Sequence, residues 1–151
     1  MHGLLANSIT LRPARAADIG FVWPVYADGI GPYLSGYRAW NEGEEAVRFR
    51  RIYDPVHSAI VLCDCVDAGW LTVVHHDSAI LLQQFFIAAA FRGRGLGTEL
   101  LSRLCAEWDG MDRPVALAVL KNNPAQTLYA RFGFTTYWQN DDRYFMLRTP
   151  G

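Results

Sequence analysis

The feature that most constrains this chain is a glycine-rich segment between an apolar strand pattern and an amphipathic helix pattern. Its residues are Arg92, Gly93, Arg94, Gly95, Leu96, Gly97 and Thr98. Glycines let backbone N–H groups approach a ligand closely, and the helix behind them directs its positive end to the same place. Two arginines add positive charge. The segment predicts a phosphate or pyrophosphate site, and the alternative is a strand-to-helix turn that merely requires glycines.

Two well-known phosphate loops fit this segment poorly. The dinucleotide fingerprint requires G-x-G-x-x-G, whereas the glycines here follow G-x-G-x-G. The P-loop requires Lys and then Ser or Thr after its last glycine, but Thr98 and Glu99 follow Gly97. An enzyme that uses this loop for NAD or ATP is therefore disfavoured.

The order of strand and helix patterns indicates the fold class. Strand patterns cover residues 8–12, 59–65, 70–75, 79–87, 115–120, 134–138 and 143–148. Helical patterns follow Asp18 and cover residues 44–53, 96–108 and 122–132. We expect a kink or a late helix start at Pro24, a chain break at 29–32 and a short hairpin turn at 67–69. This order predicts an α/β or α+β fold, a sheet with helices on its faces.

Composition narrows the class of protein. Hydrophobic residues make up 51% of the 151 residues and charged residues 19%, so we expect one compact domain spanning 1–151. The net charge of −1 is not the strongly positive charge expected of a general nucleic-acid-binding protein. No apolar run approaches the length needed to span a membrane. Residues 1–7 lack the pattern of a secretion signal. The 3 cysteines offer neither a complete pairing nor a zinc site, so we expect no metal and a reducing cytoplasm.

Two motifs in order resemble the GNAT family of N-acetyltransferases. Arg92-x-x-Gly95-x-Gly97 resembles the Q/R-x-x-G-x-G/A signature that binds the pyrophosphate of an acyl-CoA. The second motif follows at the family's usual distance and comprises Asn122, Ala125, Leu128, Tyr129, Gly133 and Phe134. The family resemblance implies a mixed, mostly antiparallel central sheet of about six to seven strands, flanked by about four helices.

The resemblance also assigns roles around acetyl-CoA, the implied cosubstrate. Backbone N–H groups of residues 92–98 would bind the pyrophosphate, and Asn122 would help to seat the cosubstrate. The backbone of Phe85, Phe86 and Ile87 would pair with the pantetheine arm and polarise the thioester carbonyl. Tyr129 would protonate the departing thiolate, although its helical face also suits a core position with an incidental hydroxyl.

These roles imply direct transfer of an acetyl group to a primary amine on a small molecule, a protein or a peptide. The alternative is a module of the same fold that binds acyl-CoA without catalysis. The sequence offers Gln83 and Gln84 where some relatives carry Glu or His, so the general base is unassigned. A water chain, or His75 and His76, are candidates, but the two histidines precede a turn pattern. Homodimers are common in the family, and the sequence identifies no interface.

Aromatic residues between the first two helical patterns are candidate acceptor contacts. They are Tyr33, Tyr37 and Trp40, to which Gln83 of the strand is added. Together with Glu42, Glu44 and Glu45 they would form a cage for a cationic amine. Inward-packed aromatics and a solvated, acidic helix start explain the same pattern. The loop 138–143 would add acidic contacts, which a polar turn explains equally.

Overall fold

The computed structural model describes residues 8–151, which form a seven-stranded sheet and four α-helices. The strands are β1 (Ile9–Pro13), β2 (Ser58–Cys63), β3 (Val66–His75), β4 (Ile80–Ile87), β5 (Val115–Leu120), β6 (Thr135–Gln139) and β7 (Arg143–Arg148). The helices are α1 (Ile19–Leu34), α2 (Glu42–Ile52), α3 (Leu96–Gly110) and α4 (Ala125–Arg131). The prediction about a leader at 1–7 lies outside the described residues.

The sheet is mixed and mostly antiparallel, as the sequence predicted. Its strand order is β1-β2-β3-β4-β5-β7-β6, and β4 with β5 is the parallel pair. These two strands pair only through Ile80 with Val115 and Leu81 with Ala116. Beyond these positions the two strands are no longer paired, so a gap opens in the middle of the sheet toward their carboxyl ends.

Each face of the sheet carries its own core. The core on the α3 and α4 side includes Leu100, Leu101, Leu104, Trp108 and Tyr129. The core on the α1 and α2 side includes Val22, Tyr26, Phe49, Ile60 and Trp70. Neighbouring residues of β4 serve both, since Phe85 packs against the first core and Phe86 against the second. The strand that borders the gap is therefore held from both sides.

The predicted chain break at 29–32 is wrong, because α1 continues through Pro24 and Pro32 to Leu34. The backbone donors that Pro24 and Pro32 lack do not end the helix. A Cβ at Gly29 would lie 2.5 Å from the Phe86 ring, so the glycine lets α1 lie directly on β4. The glycines that suggested a break instead permit close helix-to-sheet contact.

The hairpin turn between β2 and β3 also differs from the prediction of 67–69. The turn falls at Asp64 and Cys65, whose φ angles are 50° and 68°, and β3 already begins at Val66. Gly69 lies inside β3, where a Cβ would lie 2.5 Å from the Phe86 carbonyl oxygen. This glycine therefore serves strand approach rather than a turn. No helix in the described part of the chain is long and apolar enough to cross a membrane.

Candidate functional site

A cavity of about 690 Å³ occupies the gap between β4 and β5. The carboxyl-terminal parts of both strands line it, together with α1 and the start of α4. Its size falls within the range of small-molecule sites, and it lies where the sheet leaves backbone groups unpaired. The gap between the parallel strands is therefore the candidate site.

The edge of β4 offers backbone groups to this cavity. The Ala88 N–H donates to the Ala68 carbonyl at 2.7 Å, so alternation along the strand directs the Phe86 groups toward β3 as well. The N–H and C=O groups of Phe85 and Ile87 consequently face the gap. An extended ligand with amide groups can pair with them as an added strand.

The glycine loop carries a run of free backbone donors. The Arg92 N–H donates to Ala89 and the Glu99 N–H to Gly95, whereas the N–H groups of residues 93–98 donate to no other group within residues 8–151. Gly93 and Gly95 have φ angles of 76° and 77°, a region that favours glycine, and an added Cβ at either would meet open space. Such a run at a helix start binds anions, above all phosphates.

A smaller pocket of about 240 Å³ lies at this loop. Gly93, Gly95, Gly97 and Thr98 line it, together with Leu128 of α4. Leu96 is 2% exposed, so its side chain belongs to the core and only its backbone faces a ligand. The loop therefore combines free donors with space for an anion.

The two arginines of the loop have different partners. Arg92 donates through Nε to the Ile87 carbonyl at 3.0 Å, and its Nη2 forms an ion pair with Asp28 of α1 at 2.9 Å. The Arg94 guanidinium lies 5.1 Å from the Phe91 ring centroid. Arg92 thus occupies a β4 carbonyl that faces the gap, and it ties α1 to the glycine loop.

Tyr129 lies at the wall of the cavity, 8% exposed. Its ring centroid is 6.5 Å from that of Phe85 and 5.8 Å from that of Phe134. Its hydroxyl donates to no group among the described residues, and burial raises the pKa of Tyr129 well above its ordinary value of 10.0. The ring is part of the core, as the alternative interpretation of its helical face predicted. The residue also borders the cavity, and its hydroxyl is protonated.

Asn122 and Asn123 make different contacts at the end of β5. The Asn122 side chain donates to the Tyr33 carbonyl at 3.0 Å and joins the end of α1 to the loop after β5. Asn123 lines the cavity, and its Oδ1 accepts from the Ala125 N–H at 2.9 Å. The lining of the cavity thus includes Asn123 and not Asn122, whose side chain is engaged with the end of α1.

The candidate acceptor residues do not come together in one cage. Tyr33 and Gln83 line the cavity, Tyr37 lines a groove beside Asn140, and Trp40 stacks on Trp23 with centroids 6.4 Å apart. Two of the three predicted carboxylates, Glu42 and Glu45, are likewise engaged. Glu45 pairs with Arg38 at 2.7 Å and Arg48 at 3.2 Å, and Glu42 accepts from the Trp40 indole at 2.9 Å.

The described lining of the cavity contains one carboxylate, Asp28, and it pairs with Arg92. His75 and His76 are exposed beyond the other end of β4 and are not part of the lining. The sequence interpretation missed Asp28 and Arg143, which line the cavity from α1 and β7. Neither carries a local motif, because the pairing of distant strands and helices brings them to the site.

Comparison with known proteins identifies the family. Residues 55–136, more than half of the chain, match the Acetyltransferase (GNAT) domain. The chain belongs to the GNAT family. This match includes the glycine loop and Tyr129, and it extends from just before β2 into β6. No curated protein matches the chain significantly.

Solved structures of low sequence identity share the GNAT fold. The PaiA N-acetyltransferase of Thermoplasma acidophilum in complex with coenzyme A is 13% identical, with a TM-score of 0.73 over 94% of this chain and 99% of that one. An acetyltransferase of Thermus thermophilus is 19% identical, with a TM-score of 0.66 over 99% of both. The ribosomal-protein-S18-alanine N-acetyltransferase of Escherichia coli is 17% identical, with a TM-score of 0.61 over 95% of both.

Clustered metal ligands and cysteine thiols are further groups of chemical interest in the fold. Residues 8–151 contain no group of three or more His, Cys, Asp or Glu side chains that could hold a metal ion. Cys63, Cys65 and Cys105 are free thiols, and burial raises the pKa of the Cys105 thiol.

Proposed function

We propose that this chain transfers an acetyl group from acetyl-CoA directly to a primary amine. The observation that carries this function is the run of free N–H groups at residues 93–98, which opens beside the gap between β4 and β5. A pyrophosphate bound by these groups at the start of α3 places the thioester arm along β4. The residues present therefore fit a CoA thioester from its phosphates to its reactive end.

Backbone groups of β4 orient that arm. Phe85 and Ile87 present N–H and C=O groups to the gap, and Arg92 must leave the Ile87 carbonyl for a full pairing. An N–H group of this edge also donates to the thioester oxygen, where negative charge develops as the amine attacks. Positioning and hydrogen bonding supply most of the rate gain in such a direct transfer.

Tyr129 acts as the general acid. Burial keeps its hydroxyl protonated across the neutral range, because ionisation in the core would leave a desolvated charge. A departing thiolate is also a desolvated charge in these surroundings, so Tyr129 donates its proton to the sulfur and water at the cavity returns a proton to the Tyr129 oxygen. The hydroxyl has no partner within residues 8–151 that would compete for this role.

Deprotonation of the amine proceeds without a dedicated carboxylate. Asp28 is paired with Arg92, and the side chains of Gln83 and Gln84 accept hydrogen bonds without taking a proton. Water held by these amides carries the proton to solvent. An acceptor that enters as the neutral amine reacts directly, so we expect the rate to rise with pH through the pKa of the amine.

The test is release of free CoA thiol from acetyl-CoA against a panel of amines, peptides and proteins. We expect amine-dependent release from the wild type and a large loss in Tyr129→Phe. The matched control is Tyr137→Phe, because Tyr137 is 60% exposed on β6. Thiol release that requires no amine, or that is equal in the two variants, contradicts the proposed chemistry.

A second candidate function is an acyl-CoA-binding module without catalysis. The engagement of Asp28, the one carboxylate of the described lining, favours it. This module would bind acetyl-CoA but release no thiol with any acceptor, and Tyr129→Phe would change nothing measurable. Free thiols at Cys63, Cys65 and Cys105 support a reducing cytoplasm as the setting for either function.

A further inference from the structure

Arg143 lies at the open end of the gap in the sheet. It is the first residue of β7 and pairs with Leu120, the last residue of β5. Its side chain lines the same cavity as Tyr129, and it enters from the opposite side of β5 to β4. Arg143 therefore borders the cavity from the side of β5 that lies away from β4.

The turn before β7 holds Arg143 in place. Asn140 Oδ1 accepts from the Asp142 N–H at 3.1 Å and from the Arg143 N–H at 2.7 Å. The Lys121 N–H donates to the Asp142 carbonyl at 2.8 Å, which joins the turn to the chain after β5. These bonds fix the backbone that carries the guanidinium before any ligand arrives.

The guanidinium keeps free donors. Nη1 donates to Asp142 at 2.9 Å, whereas Nε and Nη2 donate to no other group in the described part of the chain. The side chain is 35% exposed, so it is neither buried in a network nor fully solvated. The planar fork of an arginine matches a carboxylate, with two parallel hydrogen bonds.

The free donors of Arg143, rather than the net charge of the cavity, favour a carboxylate at this point. Asp28 and Arg92 neutralise one another at 2.9 Å. Asp142 lines the separate groove with Tyr37 and Asn140, outside the cavity. With Asp142 on Nη1, the remaining Nε and Nη2 donors of Arg143 suit a carboxylate, whereas an ammonium ion offers them no acceptor.

We propose that the acceptor is an amine that also carries a carboxylate, such as an amino acid, and that Arg143 binds this carboxylate. The inference rests on the proposed transferase function and names its acceptor class. Anchoring the carboxylate at Arg143 directs the amine of the same small molecule into the cavity that Tyr129 borders. Arg143 is thus a specificity-determining residue.

The test compares matched acceptors that differ only in the carboxylate: L-phenylalanine with 2-phenylethylamine, and L-lysine with cadaverine. We expect wild-type kcat/KM to be at least about tenfold higher for the amino acid of a pair, since hydrogen bonds between charged groups contribute roughly tenfold to a hundredfold. Arg143→Gln should remove this preference, with less than about a twofold change for the decarboxylated amine.

Two further variants guard the interpretation. Arg143→Lys keeps the charge but loses the fork, so it should recover part of the preference. Arg50→Gln removes an exposed arginine of α2 and should leave kcat/KM unchanged for both acceptors of a pair. Unchanged affinity for acetyl-CoA in all three variants shows that the site remains folded.

Several results would overturn the inference. Equal or greater turnover of the decarboxylated amines contradicts it, and so does an equal loss of both acceptors in Arg143→Gln. Turnover of other amines with neither amino acid contradicts the acceptor class and leaves the transferase function intact. Absence of thiol release with every amine contradicts both.

Discussion

Substitutions of Gly95 test whether the glycine loop binds an anion, because they separate the effect of side-chain charge from the effect of backbone strain. Gly95 has a φ of 77°, and an added Cβ would meet nothing within 4 Å, so a side chain creates strain but no clash within the chain. The left-handed conformation costs a non-glycine residue about 1–2 kcal/mol. Gly95→Glu and Gly95→Lys share this strain and differ in charge, so their comparison isolates the effect of charge on an anion bound at the loop.

The expected magnitude follows from Coulomb's law. For unit charges about 6 Å apart, the interaction is roughly 0.7 kcal/mol at the dielectric constant of water and about 2.8 kcal/mol at an effective value of 20. Gly95→Glu should therefore weaken acetyl-CoA binding by about threefold to a hundredfold relative to Gly95→Ala. The affinity for acetyl-CoA should differ more between Gly95→Lys and Gly95→Glu than between Gly95→Ala and Gly95→Glu, with Gly95→Lys binding more tightly. Added salt should reduce this difference in affinity.

Isothermal titration calorimetry with acetyl-CoA measures these affinities. Gly110→Glu is the matched control, because Gly110 ends the same helix and an added Cβ there also meets nothing within 4 Å. We expect Gly110→Glu to bind like the wild type. Equal affinities of Gly95→Glu and Gly95→Lys would refute the assignment of an anion to this loop.

Three further predictions concern single side chains. Tyr129→Phe should lower kcat by about a hundredfold or more and leave acetyl-CoA affinity within twofold, as steady-state kinetics and calorimetry would show; an unchanged kcat removes the general acid. Asp28→Asn should tighten acetyl-CoA binding, because Arg92 loses its ion-pair partner on α1 and its charge becomes available to the ligand. Weaker binding would contradict this explanation. Arg148 lowers the pKa of Asp109 from 3.8 to about 2, so stability from this pair is present above pH 4 and declines toward pH 2. Asp109→Asn should flatten the acid limb of a thermal-melting profile, and an unaltered limb argues against the pair.

The sequence predicted the features that depend on local pattern. The glycine loop precedes a helix whose apolar positions recur at helical spacing, so both the loop and α3 were readable from residues 92–108. The mixed, mostly antiparallel sheet followed from family resemblance and is confirmed. Tyr129 borders the cavity, and the role as general acid that the family resemblance implied remains a prediction.

Features that depend on distant contacts were not readable. The end of α1 follows from the packing of Gly29 on Phe86, more than fifty residues away, which composition around 29–32 does not show. The residues of the candidate cage do not lie together. Tyr33 lies on α1, whereas Trp40 follows that helix and stacks on Trp23. Arg143 reaches the cavity through the pairing of β5 with β7, and no spacing in the sequence signals that contact.

The central claim is that the glycine loop binds the pyrophosphate of acetyl-CoA beside the gap in the sheet. The most direct measurement compares acetyl-CoA with S-acetylpantetheine, which keeps the thioester arm and lacks the pyrophosphate and nucleotide, in one calorimetric experiment. We predict binding of one acetyl-CoA per chain and an affinity for S-acetylpantetheine lower by at least about a hundredfold, since hydrogen bonds to charged groups contribute about 1.5–3 kcal/mol each. Absence of acetyl-CoA binding, or equal affinity for the two ligands, would contradict the claim.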